Sequence, residues 1–224
     1  MRKAIKNLHL GVYPPHGRVR VAAPLRVSDE AVRLAVIGKL GWIKRQRARF
    51  AAQDRQPPRA MLSGETHYVF GRRYRLRAIE GVAAASVTLA KTTLQMRVPP
   101  RTNTARRQLL LQRWYRAQLK LLIPRLLAKW EPKLGVQPAA WGIKRMKTRW
   151  GSCSRASRRV WLNLELAKKP LACIEYVLVH ELAHLIERGH GPKFVAILDA
   201  HLPRWRSRRD ELNAAPLSHE DWAY

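Results

Sequence analysis

Two histidines and a glutamate in one short stretch have the types and spacing that hold and use a metal ion. They are His180, Glu181 and His184, within Tyr176-Val-Leu-Val-His180-Glu181-Leu-Ala-His184. On an α-helix, positions i and i+4 share a face about a turn apart, so two imidazole nitrogens meet one ion with the carboxylate beside them. That is the helix of a zinc hydrolase. A catalytic zinc site usually has three protein ligands and an open position for water, so one ligand must come from elsewhere. His190 is the natural third. Gly189 suits the left-handed turn that ends a helix and Pro192 the first turn of the next, which places His190 in a tight reversal. Glu211, His201 and His219, farther along the chain, are the alternatives.

Zinc at such a site brings the pKa of a water towards neutrality, and a neighbouring carboxylate can take its proton while the metal polarises the bond under attack. Glu181 is placed for that work. Its competing role is to orient a histidine without touching the reaction. Arg149 is a further candidate, because a guanidinium near a metal stabilises an oxyanion or holds a phosphate; a surface role is the alternative. Cys153 has no paired cysteine and reads as a small buried residue in a tight loop. Trp150, Trp161, Phe194 and Trp205 read as core rather than substrate platform.

These residues sit in a globular chain of 224 residues whose 46% hydrophobic content supports a core. The charge is the unusual feature: 44 Lys and Arg against 15 Asp and Glu leave +29. Such a charge attracts polyanions and opposes self-association, which suggests non-specific nucleic-acid contact through basic clusters at Lys44 to Arg49, Arg72 to Arg77 and Arg204 to Arg209. A generally Arg-rich proteome is the competing cause. With only Cys153 and Cys173 and no CxxC pair, neither a disulfide framework nor a zinc knuckle is expected. The N-terminus lacks the apolar run of a signal peptide, and no stretch reaches membrane-spanning length. A cytoplasmic protein without a membrane partner is expected; the oligomeric state is not legible.

The pattern predicts an α+β fold, with a β-rich N-terminal subdomain at residues 1–100 and a catalytic subdomain at 101–224. His9 to Tyr13 and Arg18 to Val21 alternate around Pro14-Pro15-His16-Gly17 as a hairpin. Ser28 caps a helix with Asp29 and Glu30 in its first turn and an apolar stripe of Ala31, Leu34, Ala35 and Ile37, and Trp42 to Gln53 continues helically. After a linker at 54–59, the stretches from Thr66 to Val98 alternate as a small antiparallel sheet with one apolar and one basic face. Thr102 to Lys129 is helical, kinked or divided at Pro124, with Arg106, Arg107, Arg113, Arg116 and Lys120 outside. Gly142 to Ser154 is a strand entering a tight loop, and Val160 to Leu164 the returning strand. An antiparallel hairpin just before the metal helix can offer an edge strand to an extended peptide. Pro170 opens the metal helix; further helices follow from Phe194 and Trp205, and 216–224 is a loosely held tail.

At Arg149-Trp150-Gly151-Ser152-Cys153, Leu162-Asn163, Pro170, Tyr176 to Leu185 and His190-Gly-Pro-Lys-Phe194 the chain resembles the YgjP-like metal-dependent hydrolases. That family is in turn similar to SprT-like and other zincin metallopeptidases. The resemblance is sharp from Ile143 to Phe194 and looser from about Val19 to Leu212. It implies a zincin-like core of helices with an antiparallel hairpin, three ligands at His180, His184 and His190, and a catalytic Glu181. Val195 departs from the aromatic that often follows the Phe, a matter of helix packing.

Three functions compete. The first is a zinc metallopeptidase acting on protein or peptide, including protein associated with nucleic acid. The second is hydrolysis of a nucleotide phosphoanhydride, which metal and arginines would also serve. The third is a nucleic-acid-binding module whose metal is structural, which would require a site closed by four protein ligands.

Overall fold

A computed structural model of the chain describes residues 2–3, 5–13, 17–51, 59–146 and 149–214. The turn at Pro14 to His16, most of the 54–59 linker, His219 and the 216–224 tail lie outside them. The chain divides into two compact units, one within residues 1–58 and one of Arg59–Ala215. The strands between Thr66 and Val98, which the sequence pattern groups with the N-terminal part, thus share a unit with the metal helix.

In the first unit, β1 (Arg2–Lys3), β2 (His9–Tyr13) and β3 (Arg18–Pro24) form a sheet in the order β1-β3-β2. The expected hairpin is its antiparallel β2–β3 pair. Ser28 accepts a hydrogen bond from the Ala31 amide and caps α1 (Asp29–Ile37) as its sequence predicts. The apolar stripe of α1 stays open, with Leu34 59% and Ile37 49% exposed. The next helix is α2 (Leu40–Ala51).

The second unit opens with β4 (Thr66–Val69), β5 (Arg72–Glu80), β6 (Ser86–Leu89) and β7 (Thr93–Val98), in the order β4-β5-β7-β6. The sheet is mixed rather than antiparallel: β5 and β7 run parallel, because β6 carries the chain across to the far edge before β7 returns. Alternation specifies which face is buried, not strand direction. The buried face carries Val69, Leu76, Val87, Leu94, Met96 and Val98.

Against it lies α3 (Thr104–Leu134), capped by Asn103 and ended by Gly135 at φ 63°. It runs unbroken through Pro124 and Pro132, contrary to the expected kink or break. The reason is packing: Leu111, Tyr115, Leu119, Ile123, Leu127, Trp130 and Leu134 form one buried stripe on both sides of Pro124. Each such side chain stabilises by about 1.5–3 kcal/mol, which outweighs about 3 kcal/mol for an interior proline. Arg107 is not on the outside. It is buried, pairs with Glu80 and donates to the carbonyl of Met61.

A second sheet follows, of β8 (Ala140–Lys144), β9 (Gly151–Ser154) and β10 (Arg159–Asn163) in the order β8-β10-β9. The stretch expected as one strand from Gly142 forms two: β8 pairs parallel with β10, while β9, expected as the tight loop, makes the antiparallel hairpin with β10 and lies at the edge. A short 3-10 turn at Leu164–Lys168 leads to α4 (Leu171–Ile186), then α5 (Pro192–His201) and α6 (Trp205–Ala214). Gly71, at φ +82°, fits where a Cβ would lie 2.9 Å from Pro170, so the β4–β5 turn seats directly on the start of α4. On the other side, the Trp130 indole and Lys129 of α3 both donate to Glu175 of α4, at 2.8 and 2.7 Å.

Candidate metal centre

The helix α4 is apolar almost all round and buried to match: Cys173, Ile174, Val177, Leu178, Val179, Leu182 and Ala183 are all in the core. A polar group on such a helix is tolerated only where the helix meets a cleft or a partner. His180, Glu181 and His184 face a cleft of about 440 Å³, whose walls include Arg149, Ser152, Cys153, Tyr176 and His190.

The three predicted histidines come together. Their available nitrogens all lie within 4.8 Å of one another, the only such cluster among the described residues. The Nε2 atoms of His180 and His190 are 3.1 Å apart. Two nitrogens held tetrahedrally by one zinc ion would be separated by roughly 3.3 Å, so the donor set fits that ion. Burial, then the neighbouring His184 and His190, lowers the His180 pKa to about 4. Burial also lowers that of His184, against the hydrogen bond from its ring to the Glu187 carbonyl. Both rings are therefore neutral near pH 7, the form that binds metal. The 3.1 Å contact between His184 Nδ1 and the Glu187 carbonyl also orients the ring, freeing Nε2 for the cleft. His180 Nδ1 is buried with no protein partner among the described residues.

Phe194 of α5 supports all three rings. Its own ring lies 4.7–4.9 Å from each imidazole, stacked on His184 and edge-on to the other two. Predicted as core, Phe194 is core in fact and also the floor of the histidine cluster. The reversal that presents His190 differs from the expectation for Gly189. Helix α4 ends in an extended Glu187 at φ −125°, and Gly189 is not among the positive-φ glycines. Glu187 organises the loop instead: its carboxylate accepts from the Gly189 amide at 3.3 Å, and its carbonyl serves His184. Pro192 occupies the first turn of α5 as expected.

The alternative third residues are elsewhere. His201 ends α5, and Glu211 on α6 pairs with Arg208 at 3.1 Å. Glu181 is 6% exposed, pressed against the edge strand β9 at Gly151. Burial raises its pKa to about 8, partly opposed by the charge of Arg149. A dication beside it would oppose burial more strongly. Arg149 is thus brought to the cleft, and Asn163 holds its loop there. The Asn163 amide donates to the carbonyls of Met146 and Arg149 at 2.9 and 2.7 Å, which ties β10 to both ends of the 146–149 segment. Cys153 lines the cleft but lies outside the nitrogen cluster, and burial followed by the charge of Glu181 raises its thiol pKa. That favours the inert thiol.

The sequence reading missed Arg155, Arg188 and Tyr176 as cleft residues and placed Arg209 only in a surface cluster; all four line it. Arg188 had a signal, lying between the metal helix and His190. Tyr176 sits edge-on to His180 at 5.8 Å and stacks on Trp205 at 6.3 Å.

Residues 6–215 match the family described as YgjP-like, metallopeptidase domain. No curated protein matches the sequence. Among solved structures, the metallopeptidase zymogen of Pyrococcus abyssi abylysin is similar at 23% identity over 40% of this chain and 90% of that chain, with a TM-score of 0.38. A likeness that distant carries no argument about this chain. The family match spans nearly the whole sequence and includes the histidine cluster, so the chain belongs to the YgjP-like metallopeptidase family and is a metal-dependent hydrolase.

Proposed function

We propose that the chain is a zinc-dependent peptidase in which His180, His184 and His190 hold the ion and Glu181 is the general base. The observation that carries this reading is a buried carboxylate on the same helix as two neutral imidazoles, with an edge strand against it. A zinc ion held there would supply Lewis acidity to the scissile carbonyl and lower the pKa of the attacking water. The chain's own residues do the rest. An extended peptide pairs with the open side of β9 and is presented to the cleft. Glu181 takes the proton from water and returns it to the leaving amine. Arg149 faces the negative charge that develops on the carbonyl oxygen.

A second reading has one observation in its favour: Arg149, Arg155, Arg188 and Arg209 all line the cleft, a setting suited to a nucleotide phosphoanhydride. A structural metal is disfavoured, since only three candidate ligands cluster among the described residues. The net charge of +29 favours nucleic-acid company and hence nucleic-acid-associated protein as substrate. The unpaired Cys153 and Cys173 suit a reducing compartment such as the cytoplasm, and no described helix is long and apolar enough to cross a membrane. Parallel incubation of the zinc-loaded protein with casein, casein plus DNA, and nucleoside triphosphates separates the readings. Peptide products alone support the peptidase, and phosphate release alone overturns it.

A further inference from the structure

The sheet β4-β5-β7-β6 buries one face and turns the other to solvent. Strand register puts Tyr68, Arg73, Arg75, Arg77, Gln95 and Arg97 on the solvent side: Tyr68 stands opposite Arg73, Arg77 opposite Gln95, and Arg97 opposite Ile79 two pairs further. No acidic residue occupies a paired position on that face. Among the described residues these four arginines make no ion pair, although Arg107, Arg206 and Arg208 each find an acidic partner. Arginines at alternate positions of one strand repeat about every 6.8 Å, close enough to repel one another. A face kept wholly positive in this way is complementary to a flat polyanion. It also has a stacking element, since the Arg73 guanidinium lies 5.9 Å from the centre of the Tyr68 ring.

We propose that this sheet face is a binding platform for single-stranded nucleic acid, with Arg73, Arg75, Arg77 and Arg97 on the phosphates and Tyr68 under a base. A flat sheet suits a single strand, whose unpaired bases lie against rings and guanidinium planes while the backbone follows the charges. A duplex hides its base faces and offers only phosphates. For its class of ligand the proposal rests on the charge reading above, and it is independent of the metal centre. The residues lie on a solvent face, so their replacement leaves the core intact, which a thermal melt and the bound-zinc content check.

The test is fluorescence anisotropy with a labelled oligothymidylate of about 20 nucleotides, longer than typical single-domain sites. At about 50 mM salt the wild-type chain binds, and the triple variant Arg73→Gln/Arg75→Gln/Arg77→Gln binds at least about tenfold more weakly, its log-log salt slope shallower by about 2. The control Arg113→Gln/Lys120→Gln/Arg125→Gln removes the same charge from the exposed side of α3, whose buried stripe packs against the opposite face of the sheet. It leaves affinity within about twofold, because charges beyond a screening length contribute little. Tyr68→Leu weakens the single strand and not a duplex of the same length. Equal losses in both triple variants would overturn the location. A duplex bound as tightly as the single strand and indifferent to Tyr68 would overturn the single-strand preference. No binding by the wild-type chain would overturn the nucleic-acid reading while zinc content and peptide hydrolysis, read separately, stand.

Discussion

Gly151 and Glu181 are packed so closely that a Cβ on Gly151 would lie 2.5 Å from a carboxylate oxygen of Glu181 and 2.6 Å from its Cγ. A side chain at this point of β9 would therefore occupy the space of the proposed base. Glu181 is buried at the wall of the cleft, so moving aside carries its carboxylate away from the place proposed for the base. The glycine here is required by close approach and not by its backbone angle, since Gly151 is not among the positive-φ residues.

Gly151→Ala should accordingly displace either the carboxylate or the edge strand by a large fraction of an ångström. Misplacement of that size costs on the order of 10²-fold in turnover. The histidines are not touched, so zinc content should stay at the wild-type level. Normal peptide hydrolysis in the variant would show that β9 and Glu181 move apart freely, and would remove the strand from the proposed site.

Glu181→Gln tests the base itself. The amide fills the same space beside Gly151 but cannot accept a proton, so hydrolysis should fall by roughly 10²-fold or more while metal remains bound. Activity retained at full zinc occupancy would reassign Glu181 to a packing role.

Removing ligands should remove the ion. Elemental analysis of the purified protein should find about one zinc per chain, and His184→Ala or His190→Ala should lose most of it, since each leaves two nitrogens of three. A fully loaded His190→Ala would shift the third-ligand role to another residue.

How far the sequence showed this site depends on the range of the information. His180, Glu181 and His184 were legible because helical periodicity alone brings them together. His190 was legible because Pro192 marks the next helix, although Glu187 rather than a left-handed Gly189 makes the reversal. Arg107 was misread because its partner Glu80 comes from another element, and the unbroken course of α3 through Pro124 rests on a stripe whose partners are equally distant. The parallel β5–β7 pair was hidden for a related reason: alternation carries no strand direction. Gly151 belonged to the resembling motif, but only the fold shows that its missing side chain makes room for Glu181.

The last prediction lies away from the metal. His67 is buried on β4, and burial, aided by Arg59 and Lys168 against the opposing Glu65, lowers its pKa from 6.5 to about 4. Glu65 Oε2 is 3.4 Å away, but His67 Nε2 makes no hydrogen bond among the described residues, and the pull of Glu65 on a proton there is outweighed by burial. The unfolded chain takes up that proton near pH 6.5 and the folded chain only near pH 4, so the unfolded state binds more protons between these values. Stability from the neutral ring is then fully present above pH 6.5 and drains away as the pH falls towards 4, by about 3 kcal/mol at the end of the window. Urea unfolding at pH 7.0 and at pH 4.5, with wild type and His67→Gln compared at equal zinc, isolates this ring, because the metal histidines titrate alike in both. The wild type should lose on the order of 2–3 kcal/mol more than the variant over that interval. Parallel losses in the two proteins would mean that the folded chain accommodates a charged His67, with Glu65 closing to a true ion pair.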